Sequence, residues 1–177
     1  MERTLVLLKP DALRRRLVGR IIARFEDAGL DISRIQTVTA TPQQVRSHYP
    51  DEEEYLRGMG DKTLKAYAEA GKDCSSAFGT SDPVGIAQRI REQLVEYLTS
   101  GPMIKAVISG PDAVKTVRRL VGSTLPADAD PESIRGALSD DSAIIAGEQG
   151  RAVMNLVHAS GTPQEAETEI ALWFPDL

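Results

Sequence analysis

One histidine and one glutamate near the end of the chain have residue types and a spacing that suit nucleophilic catalysis. His158 lies at the end of an apolar segment typical of a strand, and Glu169 follows eleven residues later on a predicted helix. An imidazole is a competent nucleophile near neutral pH, and a carboxylate on one ring nitrogen fixes the tautomer and frees the other nitrogen to attack. Two structural alternatives stay open at this point: a hydrogen-bonded core histidine, and a glutamate on a solvated helix face.

Three cations could surround an anion, but their spacing does not show that they converge. Lys9 lies at the end of a predicted strand, Arg118 on the flank of a helix and Arg135 in a loop. Phosphoryl transfer needs fixed positive charge and hydrogen-bond donors around the phosphate oxygens. Taken alone, each of these residues is the kind of cation that usually stays solvated on a protein surface.

Composition excludes several classes of protein. The 177 residues, 41% hydrophobic and 27% charged, suit one soluble globular domain with a core of its own. The longest apolar run has five residues, and the first residues lack the apolar stretch of a signal peptide. We therefore expect no membrane segment and a cytoplasmic location.

Net charge and cysteine content argue against nucleic acid as a partner, against an intrachain disulfide and against a zinc cluster. With a net charge of −5, binding to nucleic acid is not expected, and we interpret the basic run at 14–16 as a solvated face or a subunit contact. A single cysteine, Cys74, excludes an intrachain disulfide, and with only two histidines in the chain no zinc cluster is expected. His48 ends a short predicted helix, where its charge would suit the helix C-terminus.

The hydrophobic pattern alternates between strand and helix periods. We predict strands at 3–8, 30–40, 103–109 and 152–159, and helices at 18–28, 111–121 and 162–172, with shorter helices from Thr41, near 62–70 and over 83–98. The order strand, helix, strand occurs twice, which predicts an α+β ferredoxin-like fold (βαββαβ), a split βαβ antiparallel sheet with helices on one face. Residues 1–177 would form one domain, with a helical insertion at about 51–93.

Six segments, in order along the chain, resemble the nucleoside diphosphate kinase family. They are residues 3–11 (RTLVLLKPD), 100–102 (SGP), 121–126 (VGSTLP), 133–136 (SIRG), 155–160 (NLVHAS) and 165–170 (EAETEI). The resemblance implies an enzyme that transfers the γ-phosphoryl group of a nucleoside triphosphate to a nucleoside diphosphate by a ping-pong mechanism. His158 would be the nucleophile and would form a phosphohistidine.

The resemblance also implies roles for other residues at and near the nucleophile. Glu169 would orient His158, and Ser160 would support that carboxylate. Lys9 and Asn155 would contact the ribose hydroxyls and the transferring end of the nucleotide.

The remaining implied residues surround the phosphates. Arg118 and Thr124 would hold the distal phosphates, Arg135 would neutralise charge that develops during transfer, and Tyr49 would lie beside the histidine. Mg²⁺ would arrive with the nucleotide, and no metal site formed by side chains is implied. Family members are usually homo-oligomers, and a hexamer is favoured over a tetramer.

The sequence departs from the family on the side that would hold the base. The position of the usual base-stacking aromatic falls at Ile90, so Ile90 and Leu94 could form an apolar clamp. Alternatively, Phe78, Tyr55 or Tyr67 could supply an aromatic ring from the insertion.

Two further departures lie beyond Arg135. Ala137 replaces the usual aspartate, and the segment between Arg135 and Asn155 is longer than usual. Ala137 and the missing base-stacking aromatic motivate an alternative function, a non-catalytic member that binds nucleotides or acts as a scaffold. Binding to nucleic acid through the arginines at 14, 15, 16, 20 and 24 is a third possibility, which rests on charge alone.

Overall fold

The computed structural model describes residues 1–177, and its centre is a four-stranded antiparallel sheet. The strands are β1 (Glu2–Leu8), β2 (Asp31–Val38), β3 (Met103–Gly110) and β4 (Val157–Ala159). Their order across the sheet is β2-β3-β1-β4, which is the ferredoxin-like arrangement. The predicted α+β fold class is confirmed.

Ten helices surround this sheet. They are α1 (Pro10–Arg14), α2 (Val18–Asp27), α3 (Pro42–His48), α4 (Glu53–Glu69), α5 (Ser75–Phe78), α6 (Pro83–Thr99), α7 (Ala113–Val121), α8 (Ile134–Leu138), α9 (Ala143–Glu148) and α10 (Pro163–Trp173). None of them has both the length and the apolar character needed to cross a bilayer.

Helices cover both faces of the sheet, and the expectation that they would lie on one face is wrong. Successive side chains of a strand point to opposite faces, and in β1 both sets are buried. Val6 and Leu8 belong to a core cluster shared with α2 and α7, whereas Leu5 and Leu7 belong to a second cluster shared with α3, α6 and α10. A strand buried on both faces has a continuous apolar sequence, as β1 does.

Local signals in the sequence explain where several helices begin. At α3, the Thr41 side chain accepts a hydrogen bond from the backbone N–H of Gln44, and the Gln44 side chain accepts one from the backbone N–H of Thr41. At α10, the Thr162 side chain accepts the backbone N–H of Glu165, but the Glu165 side chain accepts from the backbone N–H of Gly161 instead of that of Thr162. Helix α4 begins at Glu53, earlier than predicted, and its acidic first turn suits the positive end of a helix dipole.

The last strand is shorter than predicted. The sequence indicated a strand over 152–159, but only Val157–Ala159 pairs with β1. Leu156 has a φ of 68°, which is incompatible with an extended strand, so the ladder starts after it. The second strand is irregular, since its pairing with β3 shifts register between Ile32 and Arg34, and its other edge is unpaired.

Helices α4, α5, α6 and α9 pack together beside the sheet, and we call them the helical lobe. Its own small core contains Tyr67, Phe78 and Ala143. The lobe thus joins two stretches that are distant in sequence: the predicted insertion at 51–93, and the long segment between Arg135 and Asn155. Helix α6 runs without a break through position 93, and its second half packs against the sheet.

The packing of α4 against α6 depends on the absence of a side chain at Gly60. A Cβ atom there would lie 1.9 Å from the carbonyl oxygen of Pro83, which is backbone and cannot move aside, whereas a Cβ at exposed Gly58 meets nothing. We expect Gly60→Ala to destabilise the fold by about 1–3 kcal/mol because of this overlap. Gly58→Ala, the matched control, should stabilise it by about 1 kcal/mol through helix propensity. Urea denaturation of both variants measures the difference, and equal shifts of the same sign would contradict this account of the interface.

Candidate active site

His158 lies in the middle of β4, where it pairs with Leu7 of the central strand. Just before it, the backbone N–H of Val157 donates to the carbonyl of Asn155 at 2.7 Å, and Leu156 between them has a positive φ. This is a γ-turn, a strained conformation that persists only where its surroundings hold it. The turn redirects the chain directly before the histidine.

Groups from the segment that follows β1 hold this turn. A carboxylate oxygen of Asp11 accepts the backbone N–H of Leu156 at 3.2 Å, and the other accepts the Tyr97 hydroxyl at 2.5 Å. The carbonyl of Leu156 accepts the backbone N–H of Lys9 at 2.8 Å. Asp11 is therefore a functional residue that sequence reasoning missed, although it adjoins the Lys9-Pro10 motif.

The Glu169 carboxylate lies against one edge of the His158 ring. Nε2 of His158 is 2.9 Å from the carboxylate, and the Ser160 hydroxyl donates to Oε2 of Glu169 at 2.6 Å. An ionised carboxylate only accepts hydrogen bonds, so Nε2 must carry the proton. Nδ1 of His158 then has a free lone pair, and no protein group bonds to it. The predicted orienting role of Glu169 and the supporting role of Ser160 are consistent with these contacts.

The environment of His158 keeps its ring neutral. Burial lowers the pKa of His158 well below its ordinary value of 6.5, and the charges of Lys9, Arg135 and Arg118 lower it further. Burial raises the pKa of Glu169, and the hydrogen bond from Ser160 opposes that rise. A neutral imidazole with one free nitrogen is the nucleophilic form of histidine.

Lys9 is buried beside the histidine and has one polar partner. Its Nζ donates to the side-chain oxygen of Asn155 at 2.7 Å, and Nδ2 of Asn155 donates to the carbonyl of Thr124 at 2.8 Å. Burial and the neighbouring Arg135 lower the pKa of Lys9 to about 7. The structure thus brings together three of the predicted residues in one chain of hydrogen bonds.

Arg135 lies on the short helix α8 and not in the expected loop, because the Ser133 side chain caps a helix there; it is buried in a cradle of backbone carbonyls. Its guanidinium donates to the carbonyls of Gly122, Ser123, Asn155 and Val157 at 2.6–3.2 Å. These contacts use four of its five N–H groups, which leaves one for a ligand. Burial and the charge of Arg118 lower the pKa of Arg135 to about 10.

Two further predicted residues, Arg118 and Thr124, are exposed at the entrance to this region. Between them, Gly122 has a φ of 86°, and a Cβ atom there would lie 2.3 Å from Oγ of Ser133. Glycine is needed at this bend, which carries the chain from α7 to the carbonyls that hold Arg135. None of Lys9, Arg118 and Arg135 forms a salt bridge with a carboxylate.

Tyr49 and Leu94 occupy different surroundings. The Tyr49 ring lies 6.5 Å from the His158 ring between centroids, so it is beside the histidine as predicted. Leu94 is only 9% exposed and packs in the core cluster beneath α6, which leaves little of its surface for a base. Ile90, one turn earlier, is partly exposed.

His48 and Trp173 complete the site, and sequence reasoning missed both roles. The His48 ring packs edge-on against the His158 ring with centroids 4.3 Å apart, and the Trp173 N–H donates to Nδ1 of His48 at 3.2 Å. Burial lowers the pKa of His48 to about 3, so the expectation of a charged residue at a helix C-terminus is wrong. Trp173 lies four residues after Glu169 on α10, and this spacing could have indicated that both face the same site.

The donor atoms near the histidine do not form a site for a resident Mg²⁺. Atoms of His48, His158 and Glu169 lie within 4.8 Å of one another, but two are nitrogens, and the carboxylate already accepts from His158 and Ser160. Mg²⁺ prefers oxygen ligands, several of them water or phosphate. The buried carboxylate of Asp11 is likewise occupied.

The arrangement defines a class of enzyme. A neutral histidine has one nitrogen on a buried carboxylate and the other free, and three cations without carboxylate partners surround it. This combination suits covalent transfer of an anionic group, phosphoryl above all, to and from the histidine.

Comparison with known proteins identifies the family. The family model for nucleoside diphosphate kinase matches residues 2–57 and 87–177. A nucleoside diphosphate kinase of Pyrobaculum aerophilum is 52% identical over 174 residues, covering 98% of this chain and 95% of the relative. The chain belongs to the nucleoside diphosphate kinase family, and the predicted membership is confirmed.

Solved structures of nucleoside diphosphate kinases are similar to this structure over almost the whole chain. A crystal structure of an NDP kinase from Pyrobaculum aerophilum has a TM-score of 0.93 at 50% identity and covers 99% of this chain and 96% of its own. A nucleoside diphosphate kinase from Borrelia burgdorferi, a transition-state mimic with bound vanadate and ADP, has a TM-score of 0.75 at 27% identity and covers 99% and 88%. The unmatched residues 58–86 lie within the predicted insertion.

With only two histidines in the chain, their protonation can be followed directly by NMR. We expect both rings to stay neutral from pH 8 down to pH 5.5, each with its proton on Nε2, because burial lowers both pKa values. Long-range ¹H–¹⁵N spectra report tautomer and charge. In urea both should titrate near their ordinary pKa of about 6.5. A native His158 that became charged near pH 6.5 would contradict this description of the site.

Proposed function

We propose that this nucleoside diphosphate kinase transfers the γ-phosphoryl group of a nucleoside triphosphate to a nucleoside diphosphate through a phosphohistidine on His158. The observation that carries the proposal is the free Nδ1 of His158, opposite an Nε2 held on Glu169 at 2.9 Å. This intact pair favours catalysis over the non-catalytic alternative. Because the transfer is split into two steps, one pocket serves the donor and the acceptor in turn.

In the first step, the lone pair on Nδ1 attacks the γ-phosphorus. An N–P bond forms, the bond from that phosphorus to the bridging oxygen breaks, and the diphosphate leaves with the electron pair. The ring gains positive charge while Nε2–H stays on Glu169, so the carboxylate stabilises the product. In the second step, a terminal oxygen of another nucleoside diphosphate attacks the phosphorus, and the electron pair of the N–P bond returns to Nδ1.

The cations act on the phosphate oxygens. Lys9 and the remaining N–H of Arg135 are preorganised beside the histidine, where the charge of Arg135 and the charge that Lys9 gains on binding phosphate stabilise the charge spread over the transferring group. Arg118 and Thr124, which are exposed at the entrance, bind the distal phosphates. Asn155 keeps Lys9 in place and contacts the ribose hydroxyls.

Exposure separates the side chains that could contact the base from those that are buried. Phe78 and Tyr67 are buried in the core of the helical lobe, so neither is available to stack on a base. Tyr55 is 40% exposed on the first turn of α4, and Ile90 is partly exposed on α6. We favour these two residues over Leu94 as contacts for the base.

Mg²⁺ enters as part of the substrate. The cluster of three cations favours a metal–nucleotide complex whose own phosphates hold the ion. Binding of ADP and vanadate by the Borrelia burgdorferi relative supports the choice of nucleotide ligands.

Assembly and location stay predictions. The unpaired edge of β2 and the exposed side chain of Ile35 on that strand support a homo-oligomer. The preference for a hexamer rests on the family resemblance alone. Light scattering coupled to size-exclusion chromatography would measure the oligomer size. A single domain over 1–177 and a cytoplasmic location likewise stay predictions.

The decisive test is a single-turnover reaction with radiolabelled γ-phosphate ATP and Mg²⁺, followed by a GDP chase. We expect acid-labile label on the wild-type protein that passes to GTP, and none on His158→Ala, in which His48 remains as the only histidine. Nucleotide-dependent thermal stabilisation should confirm that the variant is folded and binds ADP. Label that persists in His158→Ala would refute the assignment of the nucleophile.

The lowered pKa of Lys9 gives a second test. At pH 8 most Lys9 side chains are neutral in the free protein, since burial lowers the pKa to about 7. A bound polyphosphate favours the charged form, so binding of MgADP should take up close to one proton. Calorimetry in buffers of different ionisation enthalpy measures this uptake. Lys9→Arg, which stays charged, should show almost none, and equal uptake by both proteins would exclude Lys9 as the phosphate contact.

A further inference from the structure

Trp173 determines which nitrogen of His48 carries the proton. Its indole N–H can only donate, and it donates to Nδ1 of His48 at 3.2 Å. Nδ1 must therefore accept, and the neutral ring has its proton on Nε2. That Nε2 is buried and has no hydrogen-bond partner.

This tautomer is the costlier one for His48 in isolation. An unpaired buried N–H loses the hydrogen bond that it would make in water. At the other nitrogen of the ring, Nδ1 lies 3.4 Å from Oε1 of Glu169. If Nδ1 carried the proton, this oxygen could accept a hydrogen bond from it. Without Trp173, moving the proton from Nε2 to Nδ1 would remove the unpaired donor and create a bond to the carboxylate.

That bond would compete with the catalytic histidine. Glu169 already accepts from Nε2 of His158 and from the hydroxyl of Ser160. A third donor would draw the carboxylate toward His48, whose ring lies only 4.3 Å from that of His158. His158 would then be free to place its proton on Nδ1, the nitrogen that must attack.

We propose that Trp173 and His48 are positioning residues, in which the indole N–H keeps Nδ1 of His48 unprotonated and so reserves the Glu169 carboxylate for Nε2 of His158. The kinetic part of this inference rests on the proposed function, whereas the tautomer of His48 does not. Neither residue touches the phosphoryl group. Both act through Glu169.

The charges around His48 support the same arrangement. Burial lowers the pKa of His48, the charge of Lys9 lowers it further, and only Glu169 opposes them. Tyr49, the other titratable group against the ring, has its pKa raised by burial and stays neutral. His48 therefore remains an uncharged ring, and the position of its single proton is what Trp173 controls.

The chain contains one tryptophan, so global replacement by β-(3-benzothienyl)alanine in a tryptophan auxotroph changes position 173 alone. Sulfur replaces the N–H in a ring of nearly the same shape. We expect long-range ¹H–¹⁵N spectra to show that the His48 proton has moved from Nε2 to Nδ1. At saturating nucleotide, kcat for phosphoenzyme formation should fall roughly tenfold, as for a weakened hydrogen bond to a charged group, with KM nearly unchanged.

A double-variant cycle separates this mechanism from loss of packing. His48→Phe removes the competing donor but keeps a ring at that position. In the His48→Phe background we expect the same replacement at Trp173 to change kcat less than twofold, because there is no proton left to redirect. If the protein with the replaced ring does not fold, Trp173→Phe examined in both backgrounds gives the same comparison.

Two results would overturn the inference. One is a His48 that keeps its proton on Nε2 after the indole N–H is removed, which NMR detects whether or not the enzyme is phosphorylated. The other is an equal loss of kcat in the His48 and His48→Phe backgrounds, which would mean that Trp173 acts by packing alone. Failure of the proposed function is distinct, since it would appear as unlabelled wild-type protein.

Discussion

The site depends on one buried carboxylate. Glu169 is 6% exposed, and a carboxylate removed from water is stable only when charged or polar donors surround it. Its donors are His158, which lies on β4, and Ser160, which directly follows that strand. The carboxylate itself comes from α10. Pairing of the short β4 with β1, and packing of α10 on the same strand, therefore both serve to bring this acceptor to its donors. The His158 ring is therefore oriented by the hydrogen bond that it donates to this carboxylate.

Lys9 and Arg135 are buried cations, and neither has a carboxylate partner. Neutral oxygen atoms hold them: the side-chain oxygen of Asn155 for Lys9, and four backbone carbonyls for Arg135. Dipoles fix both side chains in place. Arg135 keeps its charge near neutral pH, whereas Lys9, with a pKa lowered to about 7, becomes fully charged when a phosphate binds. Such fixed charge needs little reorganisation when a phosphate arrives, which is the main electrostatic advantage of a preformed site. The γ-turn at Leu156 contributes to the same cradle, since the residues on either side of it supply two of the four carbonyls.

Much of this could be predicted from the sequence, and the failures have physical reasons. The strand and helix periods gave the fold class, and the resemblance gave the residues that the structure brings together around His158. Residues 152–156 were wrongly included in the last strand because Ala152, Val153 and Leu156 are apolar like the residues of β4, and only the contacts of Asp11 with Leu156 reveal the turn. His48 and Trp173 were missed because their roles depend on hydrogen-bond direction between residues 125 positions apart, which no local pattern encodes. The expectation that helices cover only one face of the sheet was wrong because the order of strands and helices along the chain does not show on which face each helix packs.

The helical lobe has a consequence for how chains of this kind can be recombined. Its core is shared between α4 and α5 on one side and α9 on the other, with Gly147 so close to Tyr67 that a Cβ atom would lie 2.0 Å from the tyrosine hydroxyl oxygen. Each stretch covers apolar surface that the other would leave open to water. A shortened chain made by excising only one of them would expose apolar surface. A chimera that exchanges both together keeps the surface between them covered, provided that the exchanged α4 still fits against α6. The two stretches thus form a single transplantable module, although about 65 residues separate them in the sequence.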